Sequence, residues 1–75
     1  MADTQIQAIV TGVVWKIERQ PGQPVQAGEV IMILESMKME IPIEAPASGK
    51  LKSLAVQEGE SVTEGQVVAV VMVDT

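Results

Sequence analysis

The 75-residue chain contains no cysteine, no histidine, no phenylalanine and no tyrosine. Without cysteine it can form no disulfide, and without cysteine or histidine it has no ordinary zinc site. The lack of cysteine also fits a cytoplasmic protein. The same two absences remove the commonest nucleophile and the commonest general base, which leaves carboxylates, lysine, serine and threonine for any chemistry. The ten acidic residues are spread along the chain, and no spacing selects a pair of them. Neither catalytic residues nor metal ligands are therefore assigned. Trp15 is the only aromatic residue, and the net charge is −5 with a sequence pI of about 4.4. A surface that is acidic and nearly free of aromatics has nothing to pair with phosphates or stack on bases, so no nucleic acid is expected as partner. No apolar run approaches the ~18 residues of a membrane span, and Met1–Gln7 shows no basic and apolar leader.

Twelve valines, seven isoleucines and three leucines supply the apolar content. So many β-branched residues favour sheet, and no window has a helical period. The six glycines show how the sheet is organised. Gly12, Gly22 and Gly28 recur as Gly49, Gly59 and Gly65, each displaced by 37 residues. The same offset carries Ile6 onto Ile43, Ala8 onto Ala45, Val25 onto Val62 and Val30 onto Val67. The chain reads as a single domain, 1–75, with internal repeats at about 5–36 and 42–73.

Each repeat holds four strands. The first copy predicts strands at Gln5–Ile9, Val13–Glu18, a minimal one at Val25–Gln26, and Val30–Glu35. The second predicts Met39–Ala45, Lys50–Val56, a short piece at Val62, and Gln66–Val73. Two prolines and a glycine in Arg19–Pro24 force a loop. The glycines are read as turn positions that need positive φ or lack room for a Cβ. Shifting Lys38 by 37 in either direction gives residue 1 or 75, so the chain ends should lie together at the pole opposite Lys38. No Ala/Pro-rich or Gly/Ser-rich linker is present; the chain reads as a free-standing, monomeric domain or as one cut from a larger protein.

The midpoint carries the chemistry. Val30–Leu34 and Ile41–Ala45 are apolar arms around Ser36-Met37-Lys38-Met39. A two-residue turn at Met37-Lys38 pairs Ser36 with Met39, Leu34 with Ile41, Met32 with Ile43 and Val30 with Ala45, which builds one apolar face. Lys38 then stands at the hairpin tip. Three features there do nothing for folding. Met37 and Met39 put adaptable apolar side chains where water should be, Glu35 and Glu40 face each other as like charges, and the turn lacks the glycine or asparagine that short hairpins use.

Glu35-Ser36-Met37-Lys38-Met39 in a duplicated β domain resembles the biotinyl/lipoyl attachment domains, whose signature is commonly Ala-Met-Lys-Met. Pro21-Gly22-x-x-Val25-x-x-Gly28, Ala45-Pro46-x-x-Gly49 and Glu58-Gly59-x-x-Val62-x-x-Gly65 match as well, so the likeness covers essentially the whole chain. It is nearest to the small single-domain attachment proteins of bacteria. Ser36 departs from the usual alanine, and no thumb-like insertion breaks the first half. The resemblance implies a flattened barrel or sandwich of two four-stranded antiparallel sheets with quasi-twofold symmetry. It implies biotin joined to Lys38 by a biotin protein ligase that reads Glu35, Ser36, Met37, Met39 and Glu40. The arm would then carry CO2 between a biotin carboxylase and a carboxyltransferase, so the chain is a carrier rather than an enzyme. The alternative is a lipoyl group on the same lysine, attached by a lipoyl ligase, or a lysine that accepts either group from its own ligase. Lipoyl domains typically show Asp-Lys-Ala, and the two methionines favour biotin.

Overall fold

A computed structural model of the chain describes residues 2–73. Eight strands run in chain order: β1 (Ala2–Gln7), β2 (Gly12–Ile17), β3 (Pro24–Val25), β4 (Val30–Ser36), β5 (Met39–Glu44), β6 (Gly49–Leu54), β7 (Ser61–Val62) and β8 (Val67–Val73). They form two four-stranded sheets, ordered β1-β8-β6-β3 and β5-β4-β2-β7, with every pairing antiparallel. Exchanging β1 for β5, β8 for β4, β6 for β2 and β3 for β7 turns one order into the other, which is the quasi-twofold expected from the offset of 37. The first sheet, which contains both ends of the described chain, is called the terminal sheet; the second is the tip sheet.

Alternation along the strands builds the core. Ile31, Met32 and Leu34 of β4 are fully buried, as are their counterparts Val68, Ala69 and Val71 of β8. No polar or charged residue is buried among those described. Consecutive buried residues break strict alternation, and the cause is a bulge. Pairing of β4 with β5 follows the expected register from Ser36–Met39 through Leu34–Ile41 to Met32–Ile43, then shifts. Val30 therefore pairs with Glu44 and not with the expected Ala45. The extra residue lets Ile31 and Met32 both face inward.

The strand limits also move. β1 begins at Ala2 and ends at Gln7, so Ala8 and Ile9 are outside it, and β6 stops at Leu54, before Val56. Ala8 still closes the sheet edge: its N–H donates to the Gln66 carbonyl and its carbonyl accepts from Gly65 N–H.

Two kinds of glycine appear. Gly28 and Gly65 have φ of +88° and +89°, each at the third position of a turn closed by a backbone bond, Glu29 N–H to Gln26 carbonyl and Gln66 N–H to Thr63 carbonyl. A β-branched residue there is a steric outlier. Gly12 and Gly49 are needed for closeness instead: a Cβ would overlap the carbonyl oxygen of Glu35 or of Met72.

Cross-sheet bonds place the poles. Glu64 N–H donates to Thr11 Oγ1 (3.0 Å), and the Thr11 carbonyl accepts from Ser36 Oγ (2.9 Å). The β1–β8 end near Gln7 and Val67 thus lies beside the β4–β5 turn. At the other end Ala27 N–H donates to Ser48 Oγ (3.1 Å), one residue from Gly49, which pairs with Val73. The Ala2–Val73 pair is therefore at the pole away from Lys38. Residues 1 and 75, which the offset assigns to that pole, lie outside the described residues.

Candidate functional site

Lys38 occupies the second position of a two-residue hairpin turn between Ser36 and Met39. Met37 has φ of +53° and Lys38 of +66°. Both sit in the left-handed region, as a type I′ turn requires, and neither is glycine, asparagine or aspartate. Each such residue costs about 1–2 kcal/mol relative to ordinary backbone. The twist of the flanking strands holds this geometry, because β4 lies between β5 and β2 and cannot relax alone.

The expected tip residues are brought together as follows. Met37 is 91% exposed and Met39 62% exposed, while Lys38 is exposed between them. Glu35 and Glu40 are cross-strand partners in the register, both exposed. Among the described residues, the ion pairs are Lys16–Glu18, Arg19–Glu29 and Lys52–Asp3, so Glu35, Glu40 and Lys38 belong to none. Ser36 is half-buried, and its hydroxyl donates to the Thr11 carbonyl. That bond ties the base of the hairpin to the β1–β2 loop.

Thr11 is the residue that sequence reasoning missed. Its carbonyl holds Ser36 and its hydroxyl holds the Glu64 amide, so one loop residue links the base of the tip hairpin to the Thr63–Gln66 turn. Gly12 beside it was legible as a turn position, but a bond across 25 positions leaves no local pattern.

Two open depressions mark the surface. One is lined by Asp3, Gln5, Lys52 and Val70 on the terminal sheet, and the other by Ile6, Glu44, Pro46 and Gly65; Lys38 borders neither. Among the described residues no cluster of acids could hold a metal ion, and no helix is long and apolar enough to cross a membrane. What the tip offers is one exposed primary amine at the apex of a turn whose two flanking strands are paired up to Ser36–Met39.

Residues 2–71 match the family described as biotin-requiring enzyme, the biotin/lipoyl attachment domains. The chain is 45% identical over 58 residues to a biotin/lipoyl attachment protein of Bacillus subtilis, covering 77% of this chain and 80% of that one. It is 48% identical over 63 residues to a pyruvate carboxylase of Aspergillus niger, covering 84% of this chain but only 5% of the enzyme. Among solved structures, Kluyveromyces lactis urea carboxylase aligns with a TM-score of 0.90 at 32% identity, over 96% of this chain and 6% of that one. The chain thus spans most of a small attachment protein and about a twentieth of each large carboxylase. With the fold, the duplicated strand order and the sequence in agreement, this chain belongs to the biotin/lipoyl attachment family.

Proposed function

We propose that the chain, 1–75 taken as a single domain, is a biotin carrier whose attachment point is Lys38. The observation that carries this is the turn itself: two consecutive non-glycine residues in the left-handed region, with the amine at the apex and an apolar side chain on each side. Fold stability does not call for that choice of residues, and presentation of an amine does.

The chain's own residues do three things in this reading. Lys38 Nζ supplies the nucleophile: its lone pair forms a C–N bond to the activated carboxyl carbon of biotinyl-adenylate, AMP leaves, and the amine's proton passes to the ligase. Ser36 and Thr11 hold the turn so that the amine arrives in one direction, which is how orientation is turned into rate. Met37 and Met39 give a soft apolar collar for the ligase site, and Glu35 and Glu40 flank it with negative charge. Once attached, biotin supplies the carboxyl-carrying chemistry, and the protein supplies presentation.

The partners in this reading are a biotin protein ligase, then a biotin carboxylase and a carboxyltransferase, which fits the carboxylase names of the relatives. A monomer in the cytoplasm belongs to the same proposal. The lipoyl alternative draws no support from those carboxylase relatives.

Intact mass after incubation with purified ligase, ATP and ligand tests the reading. Biotin protein ligase should add one biotin, mapped to Lys38, and faster than a lipoyl ligase adds a lipoyl group. Lys38→Arg should fold and accept nothing, because a guanidinium stays protonated. Faster lipoylation of the unaltered chain, or biotin mapped to another lysine, sinks it.

A further inference from the structure

The quasi-twofold provides an internal control. Every outward position on the tip sheet has a counterpart 37 residues away on the terminal sheet, in the same strand setting. Folding asks the same of both members of a pair. A pair that differs in chemistry reports on something only one face does.

Two such differences, at successive outward positions, lie on β2 and β6. Where β6 exposes Lys50 and Lys52, β2 exposes Val13 (39%) and Trp15 (49%). Lysine is an ordinary choice for an outward strand position, and Lys52 is paired with Asp3 at 2.5 Å. Valine and the only aromatic residue of the chain are not. One exposed apolar side chain is unremarkable on any protein. Two successive outward positions, with half-buried Ile33 opposite the neighbouring Lys16, make a strip.

The strip adjoins the acceptor. Val13 pairs with Glu35, which pairs with Glu40, and the turn follows one residue later. At ~3.3 Å per residue, Val13 is about 7–10 Å from the turn. A protein partner that buries ~800 Å² on each side covers a disc of roughly 16 Å radius. A partner centred on Lys38 therefore reaches Val13 and Trp15. Between strip and amine stand Glu35 and Glu40, opposed like charges without a cation of this chain within ion-pair distance among the described residues. Their repulsion is relieved by a cation from outside.

We infer that the Val13–Trp15 strip is a docking surface for the ligase that modifies Lys38, received by an apolar pocket with lysine or arginine beside it. This deepens the carrier reading and rests on it. The strip acts by positioning: it holds the complex and takes no part in the bond that forms.

Steady-state biotinylation by a purified biotin protein ligase, with the chain as varied substrate, tests this. Val13→Thr/Trp15→Thr keeps net charge and places a strand-favouring β-branched residue at each outward position, so the variant should stay folded. Its KM should rise by about tenfold, the scale of an aromatic anchor at an interface, with kcat unchanged within twofold. The symmetry-related Lys50→Thr/Lys52→Thr should leave both constants within twofold. An unchanged KM for the folded Val13→Thr/Trp15→Thr variant overturns the inference, as does an equal rise for the Lys50/Lys52 variant. A variant that fails to fold is replaced by a second measurement. Fluorine NMR of the unaltered chain carrying 5-fluorotryptophan at its single tryptophan should shift when unlabelled ligase is added. A signal unmoved by ligase, moved only by biotin carboxylase, or moved by raising the chain's own concentration, names another occupant and overturns it. If the unaltered chain accepts no biotin, the carrier reading fails instead, and the two failures stay distinct.

Discussion

Two kinds of turn in this molecule cross into positive φ, and they differ in how they are supported. At Gly28 and Gly65 the residue has no Cβ to clash, and each turn is closed twice. Besides the backbone bond, the fourth residue's side chain returns to the first residue's amide: Gln26 N–H to Glu29 Oε1 at 2.7 Å, and Thr63 N–H to Gln66 Oε1 at 3.0 Å. At Met37-Lys38 the same region of backbone space is occupied by two side-chain-bearing residues, with no such return. The glycine turns are built for the fold. The tip turn is strained and held by its neighbours, and strain of that kind persists where surrounding structure over-determines it and where a function uses it.

The largest effect should come from moving the amine without touching the supports. In Met37→Lys/Lys38→Met the composition and net charge are unchanged, and both positions are exposed. Stability should stay within ~0.5 kcal/mol, as for ordinary surface changes. The amine, however, leaves the turn one residue early and points elsewhere, and misplacement by about an ångström can cost ~100-fold in rate. A time course of biotin incorporation by mass spectrometry, beside thermal melts of the same samples, reads both. Normal incorporation into the folded swap would mean that the turn's geometry is not what the ligase uses.

The glycine turns should behave in the opposite sense. Gly28→Val and Gly65→Val each force a β-branched residue to φ near +90°, at a cost of ~1–3 kcal/mol. Neither glycine has a heavy atom within 4 Å of an added Cβ, so the loss is conformational and not a clash, and it should be equal at the two sites. Urea denaturation measures it. Modification of the fraction still folded should proceed at the unaltered rate. Unequal losses would break the quasi-twofold equivalence of these turns.

Much of this division was legible in the residues. The glycine offset, the two four-strand copies and the register from Ser36–Met39 to Met32–Ile43 follow from the pattern of residues, because a one-residue slip would turn the buried face outward, whereas the two-sheet arrangement followed from the family resemblance. The bulge at Ile31 was not legible. Val30 to Leu34 is apolar throughout, so its alternation carries no mark of an extra residue. The Ser36–Thr11 bond was hidden for a different reason: a hydroxyl meeting a distant carbonyl has no sequence period. The turn-closing Glu29 and Gln66 were visible in principle, since each stands directly after the third glycine of its repeat.

Those two residues provide a smaller test. Glu29 also binds Arg19 (2.8 Å), and that hydrogen bond, with the Gln26 amide, holds its carboxyl below the ordinary 4.5. A depressed folded-state value means that the contribution to stability is complete above the unfolded value and is lost as pH falls through the folded one. The Gly28 turn should therefore weaken below about pH 4.5, whereas the Gly65 turn, closed by an uncharged Gln66, should not. Glu29→Gln converts the first turn to the second's chemistry. Its denaturation midpoint should fall less between pH 5 and pH 3 than that of the unaltered chain; an identical fall would show that Glu29 does not carry this pH dependence.

The finest distinction concerns the strain at the tip itself. If Met37 is kept for recognition and not for folding, a residue that tolerates the left-handed region should improve the fold and impair the modification. Asparagine is that residue: it occupies such φ values through local hydrogen bonding, and it adds less unfolded-state freedom than glycine would. Met37 is almost wholly exposed, so Met37→Asn removes no core packing that could mask the gain. The left-handed penalty of ~1–2 kcal/mol is only partly recovered, because the flanking strands already hold the turn. A stabilisation of ~0.5 kcal/mol is expected, or roughly 2–4 °C in melting temperature for a domain of this size. Lys38 keeps its place, so the amine still points correctly and biotinylation continues. It should be slower, since half the apolar collar is gone, and the loss should appear in KM and leave kcat little changed. A variant that is both more stable and modified at the unaltered rate would show that Met37 serves neither recognition nor fold. One less stable than the unaltered chain would show that the strain at φ +53° is not real, and the contrast with the glycine turns would then lose its energetic basis.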